Sequence, residues 1–251
     1  MKPSGSRASS PVCPQALRVR VATAPERIAW FEARLATAHY LGAGRAMGDY
    51  LRQVVEIDGQ PVALLGWGPA CYALKDRDGW ISWSASQRVE RLKLVVQNRR
   101  FLPLAPKGQS PNWASQVLGA NLRALPEQWR EQFGYRPLLA ESITDPEAYA
   151  GTGSKASNWV PGGWSAGYAR HRADFYIPND RPQRLWLREL CSRARSVLRA
   201  AQWPADCRAG RGAAPAGVLC RSTPRHWARY WRRGAPHPVR ASATRNTAPR
   251  R

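Results

Sequence analysis

Asp49-Tyr-Leu-Arg-Gln-Val-Val-Glu-Ile-Asp-Gly-Gln-Pro-Val-Ala-Leu-Leu-Gly-Trp67 is the stretch that decides the fold class. Asp49–Ile57 alternates apolar and polar residues and is rich in β-branched and aromatic side chains. Asp58-Gly59 is a hairpin turn signal. Gln60–Trp67 is the returning strand, with Pro61 tolerated at its start. An antiparallel pair therefore sits early in the chain. N-terminal to it, Pro25–His39 places Ile28, Phe31, Leu35 and Ala38 at helical spacing, and Tyr40-Leu41-Gly42-Ala43-Gly44 supplies a C-cap and loop.

C-terminal to the pair, Lys75-Asp76-Arg77-Asp78 reads as a charged, solvated turn. Ser84 is an N-cap for Ala85–Leu92. Leu94–Leu104 has strand character broken at Asn98-Arg99-Arg100. Asn112 caps a helix over Trp113–Leu125, with Asn121 as the polar residue on its apolar stripe, and Pro126–Phe133 extends it after a break. Leu138–Thr144 is a strand, a short helix follows Asp145-Pro146, Pro161-Gly162-Gly163 is a glycine-rich loop, Arg184–Leu190 is a final strand, and Ser192–Gln202 a final helix. This order predicts an α+β fold: a mixed, largely antiparallel sheet flanked by helices. The expected organisation is a disordered lead over 1–24, one domain over 25–203 and a disordered Arg/Pro-rich tail over 204–251.

The formal net charge is +22, from 39 Lys and Arg against 17 Asp and Glu. Such an excess points to a polyanionic partner, most simply nucleic acid. Residues 207–251 hold 11 Arg and no Lys, Asp or Glu, so +11 remains on residues 1–206. No apolar stretch is long enough to span a bilayer. Met1–Pro14 lacks the apolar segment of a secretory signal. A cytoplasmic protein without a membrane partner is expected. The five cysteines form no CxxC pair, which speaks against a zinc site and a disulfide framework.

Several stretches are more specific than composition: His39-Tyr40-Leu41-Gly42; Leu64-Leu65-Gly66-Trp67-Gly68; Leu74-Lys75-Asp76-Arg77-Asp78-Gly79-Trp80-Ile81-Ser82-Trp83; Val95-Val96-Gln97-Asn98-Arg99-Arg100-Phe101-Leu102; Gly134-Tyr135-Arg136-Pro137; and Gly151-Thr152-Gly153-Ser154-Lys155-Ala156-Ser157-Asn158-Trp159. In this order they resemble the DruA-like family, found in the Druantia anti-phage defence system and as domains attached to transposases. The resemblance covers about residues 28–203. One departure is clear: many relatives carry Cys and Tyr where this chain has Gly153 and Ser154.

The resemblance implies an acetyltransferase-like architecture, a setting in phage defence or transposition, and other defence-system or transposase proteins as partners. On that architecture acyl-CoA is a candidate ligand. It calls for glycines that expose backbone N–H groups at a helix N-terminus, and Pro106–Asn112 offers one Gly between two prolines. The tail after Cys207, where acids and Lys vanish together, reads either as a reading-frame product or as an arginine-rich segment that binds nucleic acid nonspecifically. Another frame starting near codon 207 is expected to encode a transposase-like continuation.

No nucleophile-base arrangement is visible. His39 is a general-base candidate or a histidine satisfied at a helix end. Glu141, mid-strand among apolar neighbours, is either half of a buried ion pair or a catalytic carboxylate, with the ion pair favoured. Asp76 and Asp78 lack a third ligand, so no metal site is proposed. Arg99, Arg100, Lys107, Lys155, Asn158 and Arg170 are the candidate nucleic-acid contacts, since cations meet phosphates and aromatic faces stack on bases.

Overall fold

Asp58 and Gly59 both take positive φ, 50° and 77°, as the tight turn of the predicted hairpin requires. The structure is a computed structural model that describes residues 17–104, 112–165, 168–172, 175–178 and 181–202. The elements run β1 (Leu17–Val21), α1 (Pro25–Ala38), β2 (Leu51–Ile57), β3 (Gln60–Pro69), α2 (Lys75–Ile81), α3 (Ala85–Arg91), β4 (Val95–Pro103), α4 (Trp113–Phe133), β5 (Leu139–Thr144), α5 (Thr152–Ala156), β6 (Val160–Trp164), β7 (Tyr168–Arg172), β8 (Phe175–Pro178), β9 (Arg184–Glu189) and α6 (Ala194–Arg199). Seven strands form one sheet in the order β1-β2-β3-β4-β5-β9-β6, and β7-β8 is a separate hairpin. Only the β4–β5 pairing is parallel within the sheet; the others are antiparallel. The α+β expectation holds.

Several local expectations change. Leu17–Val21, read as part of the lead, is an edge strand on β2. Its Leu17, Val19 and Val21 are half-buried and its Arg18 and Arg20 exposed, a period-two pattern that two arginines in five residues obscure. The supposed turn at Lys75–Asp78 opens α2, with Asp76 and Asp78 in its first turn where the helix dipole favours acids. β4 runs unbroken through Asn98-Arg99-Arg100. α4 runs through Pro126 without a break. Pro161-Gly162-Gly163 is not a loop but part of β6, paired with β9. Ser84 caps α3 as expected, within a full capping box with Gln87.

Within the seven-stranded sheet, three strands each carry one extra residue. The register steps from Val55↔Ala63 to Glu56↔Pro61, from Gly66↔Arg100 to Trp67↔Asn98, and from Pro161↔Trp186 to Gly163↔Leu185. The bulged residues are therefore Val62, Arg99 and Gly162.

The sheet is covered on both faces. On one, α4 buries Val117, Leu122, Leu125 and Trp129 against Leu51, Val55, Leu65, Trp67 and Val96. On the other, α1 packs Phe31 and Leu35 on Val54, Leu64 and Leu102, while Ile81 of α2 and Leu198 of α6 meet Val95, Leu139, Leu185 and Leu187. The Arg91 guanidinium closes the C-terminus of α6 by donating to the carbonyls of Leu198 (2.9 Å) and Ala200 (2.7 Å).

Asn121, the polar residue on the apolar stripe, is fully buried because it is fully used. Its Nδ2 donates to Gln53 Oε1 (2.6 Å), and its Oδ1 accepts from Trp67 Nε1 (3.1 Å). Gln53 donates on to Gln128, and Gln128 to the Val19 carbonyl (2.9 Å), so one polar chain ties α4 to β1, β2 and β3. Asn121→Leu strands two buried partners. A loss of about 1–3 kcal/mol is expected in urea unfolding.

A candidate cleft between diverging strands

The parallel pairing of β4 with β5 ends at Asn98↔Ser142. Beyond it β4 continues on β3, and β5 continues on β9. The two strands part, and a cleft of about 120 Å³ opens between them. Asn98, Arg99, Arg100 and Phe101 line one side and Ser142, Ile143 and Thr144 the other. The end of α1 contributes His39, Tyr40 and Leu41; Tyr149, Ser154 and Trp159 complete the wall.

The two arginines are set by the bulge. Arg99, the extra residue, lies across Gly68, where a Cβ would stand 2.8 Å from its Nε, and its Nη2 donates to the Pro69 carbonyl (3.0 Å). Arg100 turns the other way. Its Nε donates to the Gly42 carbonyl (2.7 Å), its Nη1 to the Arg99 carbonyl (2.7 Å) and its Nη2 to the Leu41 carbonyl (3.4 Å). Gly44, at φ 70°, lets the loop close onto that guanidinium. Gly66 likewise makes room for the Tyr50 ring. The glycines of Leu64–Gly68 and the Asn98-Arg99-Arg100 run thus form one packing solution: side chains from the loop and from β4 cross a bare stretch of β3.

His39 caps α1 and stacks on Tyr40 at 4.8 Å. Its Nδ1 accepts the Leu41 N–H (3.1 Å), which fixes the neutral tautomer with the proton on Nε2. Burial, and then the Arg100 charge, hold its pKa below the ordinary value. The unfolded chain therefore takes up a proton that the folded chain resists. Stability is full above the unfolded value, about 6.5, and declines as pH falls below it. Thermal melts between pH 7.5 and 5.5 are expected to show this decline reduced in His39→Gln.

α5 forms the far wall. Gly151 starts it in the left-handed region (φ 74°) against the Trp186 ring. Gly153 faces Ala114 and Leu118 of α4, where a Cβ would find ordinary contacts of 3.6 and 3.9 Å. Trp159 stacks parallel to Trp67 with centroids 6.5 Å apart. It is 4% exposed, and its Nε1 has no hydrogen-bond partner.

The structure brings together three of the sequence candidates: His39, Arg99 and Arg100. Lys155 and Asn158 are exposed beside the cleft-lining Ser154 and Trp159, and the Asn158 carbonyl accepts from Arg188 (3.1 Å). Arg170 stands in β7, opposite Tyr176. Lys107 lies outside the described residues. Glu141 is not in the cleft. It is fully buried, with Oε2 3.0 Å from Arg77 Nη1 and Oε1 accepting the Cys71 N–H (2.9 Å). Asp78 completes this cluster, accepting from Arg77, Trp83 and Arg88. Burial, and then the Glu141 charge, push the Cys71 thiol up to about 11, so it stays protonated and inert. No group of acids, histidines and cysteines suited to a metal occurs among the described residues. Sequence reasoning missed Tyr149, Ser142 and Thr144 as cleft residues, because the parting of β4 from β5 depends on pairing across α4 and leaves no local signal.

No helix among the described residues is long and apolar enough to cross a membrane. Among solved structures, the chain is similar to the aminoglycoside acetyltransferase AAC(6')-Ib in complex with coenzyme A, at 10% identity and a TM-score of 0.46, over 71% of this chain and 96% of that one. It is also similar to an acetyltransferase of the GNAT family from Streptococcus pneumoniae, at 11% identity and a TM-score of 0.41, over 69% and 99%. No curated protein matches it. The family model of the Druantia protein DruA matches residues 8–158, more than half of the chain, and the chain belongs to that family.

Proposed function

We propose that the chain is a nucleic-acid-associated component of Druantia-type anti-phage defence, working with other defence-system or transposase proteins. The supporting observation is the charge of the chain outside its arginine-rich tail. Residues 17–202 contain 26 Lys and Arg and 16 Asp and Glu, a formal excess of +10 without the arginine-rich tail. Glu56, Asp78 and Glu141 are spent on arginines within the fold. Arg18, Arg34, Arg45 and Lys155 are exposed, so the excess is presented to solvent. Arg100, by contrast, is committed to three carbonyls, and its role on this reading is to hold the loop.

The test is binding of labelled DNA and RNA by the full chain across a salt series. Affinity is expected to fall linearly on a log–log plot as phosphates are exchanged for counterions. The triple variant Arg34→Glu, Arg45→Glu, Lys155→Glu should bind more weakly and with a shallower slope. Absence of salt-dependent binding removes the reading. An unchanged triple variant removes these three side chains from the contact.

The cleft favours a second reading, an acyl- or other group transferase. Coenzyme A fits the described residues poorly. α4 is preceded by Asn112, left-handed (φ 63°) and without a side-chain cap, and no glycine is among the described residues that line the cleft. Calorimetry with acetyl-coenzyme A decides: measurable binding supports this reading, and its absence sets it aside.

A further inference from the structure

Among the described residues, six large hydrophobic side chains are exposed, and three of them, Tyr40, Leu41 and Tyr149, line the single cleft between β4 and β5. Tyr40 and Tyr149 are 59% and 49% exposed. They are not scattered. His39 stacks on Tyr40 with centroids 4.8 Å apart, and Tyr149 meets Tyr40 at a tilt of 45° with centroids 5.8 Å apart, so the three rings form one contiguous aromatic patch. Contiguous exposed aromatic surface of this kind marks a binding site, and an exposed ring face accepts a planar ligand.

The wall behind the rings is polar where a purely apolar ligand would have no use for it. Ser142, Thr144 and Ser154 bring hydroxyl groups, and Trp159 brings a buried indole N–H without a partner. A buried donor left unmade is costly, so this one calls for an acceptor. The edge is basic: Lys155 is exposed next to Ser154, and Arg45 is exposed next to Gly44, which rests on Arg100.

We propose that the Tyr40–Tyr149 pair and the cleft beneath it hold an unstacked base of single-stranded nucleic acid, with the base face on one ring and its edge against the other, a base or sugar oxygen toward the Trp159 N–H, and the flanking phosphates toward Lys155 and Arg45. The proposal rests on the nucleic-acid reading above and names the form of nucleic acid bound. A single strand is chosen over a duplex because base faces within a duplex already stack on one another and are closed to side chains. Cations alone would not distinguish the two forms.

The test uses the full chain, a fluorescein-labelled single-stranded oligonucleotide, and the duplex of the same sequence, at one fixed salt concentration. Tyr40→Ala with Tyr149→Ala is expected to weaken single-strand binding on the order of 5- to 150-fold, the range of one base–aromatic stack, and to leave duplex binding within about twofold of wild type, the part carried by phosphates. Both side chains are exposed, so the variant keeps its core, and its thermal midpoint confirms this. Trp159→Phe keeps the stacking on Trp67 and deletes the N–H; it should weaken the single strand alone. Unchanged single-strand affinity in the double variant overturns the inference while leaving the nucleic-acid reading in place. Equal loss on both forms also overturns it. Failure of the wild-type chain to bind either form removes the nucleic-acid reading, and the inference with it.

Discussion

Replacing Glu141 with alanine is expected to destabilise the protein by about 3–5 kcal/mol, because it leaves the Arg77 guanidinium charged and buried without its main counter-ion. Both side chains are fully buried. Arg77 also donates to the Cys71 carbonyl (2.6 Å) and to Asp78 Oδ1 (2.9 Å), and its guanidinium lies 5.7 Å from the Trp83 ring centroid. The cluster thus clamps α2 and the segment after β3 onto the middle of the sheet. Asp78 cannot take over the lost role alone, since it is shared with Arg88 and Trp83. Urea unfolding of Glu141→Ala measures the loss. The pair Glu141→Leu with Arg77→Met, which removes both charges, should recover much of it, for a buried pair is costly to break but not costly to replace. A single-variant loss under about 1 kcal/mol would show that the pair is solvated and the burial wrong.

The second large effect is expected at Trp186. Trp186→Ala should cost about 3–5 kcal/mol, the usual range for deleting a buried aromatic ring. The indole is 1% exposed, and its Nε1 donates to Thr144 Oγ1 (2.9 Å). Its consequences reach the cleft. A Cβ at Gly151 would stand 2.8 Å from Trp186 Cη2 and closer still to Cζ2, so the ring is the floor on which α5 begins. Without it Thr144 loses its partner and α5, with Ser154, loses its support. Hydrogen exchange over 151–159 should therefore accelerate more than exchange in β2 and β3. Equal acceleration everywhere would mean that the ring supports the whole core and not α5 in particular.

Much of the fold is legible in the sequence where local chemistry and global packing agree. Asp58-Gly59 has one good use, and it is used. The Ser84 cap with Gln87 three residues later is likewise local. Glu141 announces its ion pair because a lone acid among Leu139, Ala140 and Ile143 cannot be buried unpaired. What escapes is set at long range. Lys75–Asp78 looks like a solvated turn until Arg77 is seen to reach Glu141, 64 residues away. Pro161-Gly162-Gly163 looks like a loop because its glycines seem to seek freedom. They are small instead because Leu187 and Asp76 press on their backbones. Arg99 and Arg100 read as surface cations, yet their charges are directed at carbonyls of β3 and of the loop after α1. The cleft lies further from the sequence still, since it exists only because a parallel pair stops at Asn98 and Ser142 while both strands go on.

The three bulges also bear on how long the chain can be. Deleting Gln97 would slide Val95 and Val96 one place along the sheet and exchange the faces on which they lie, taking each valine out of the core it packs in and into the opposite one. Deleting Arg99 would not: Asn98 would stay opposite Trp67 and Arg100 opposite Gly66, now as adjacent rungs of a regular ladder. The same holds for Val62 between Pro61 and Ala63, and for Gly162 between Pro161 and Gly163. Within the sheet, relatives that differ in length by one residue should differ at these three positions, and a gap placed elsewhere in those strands would be an error of alignment.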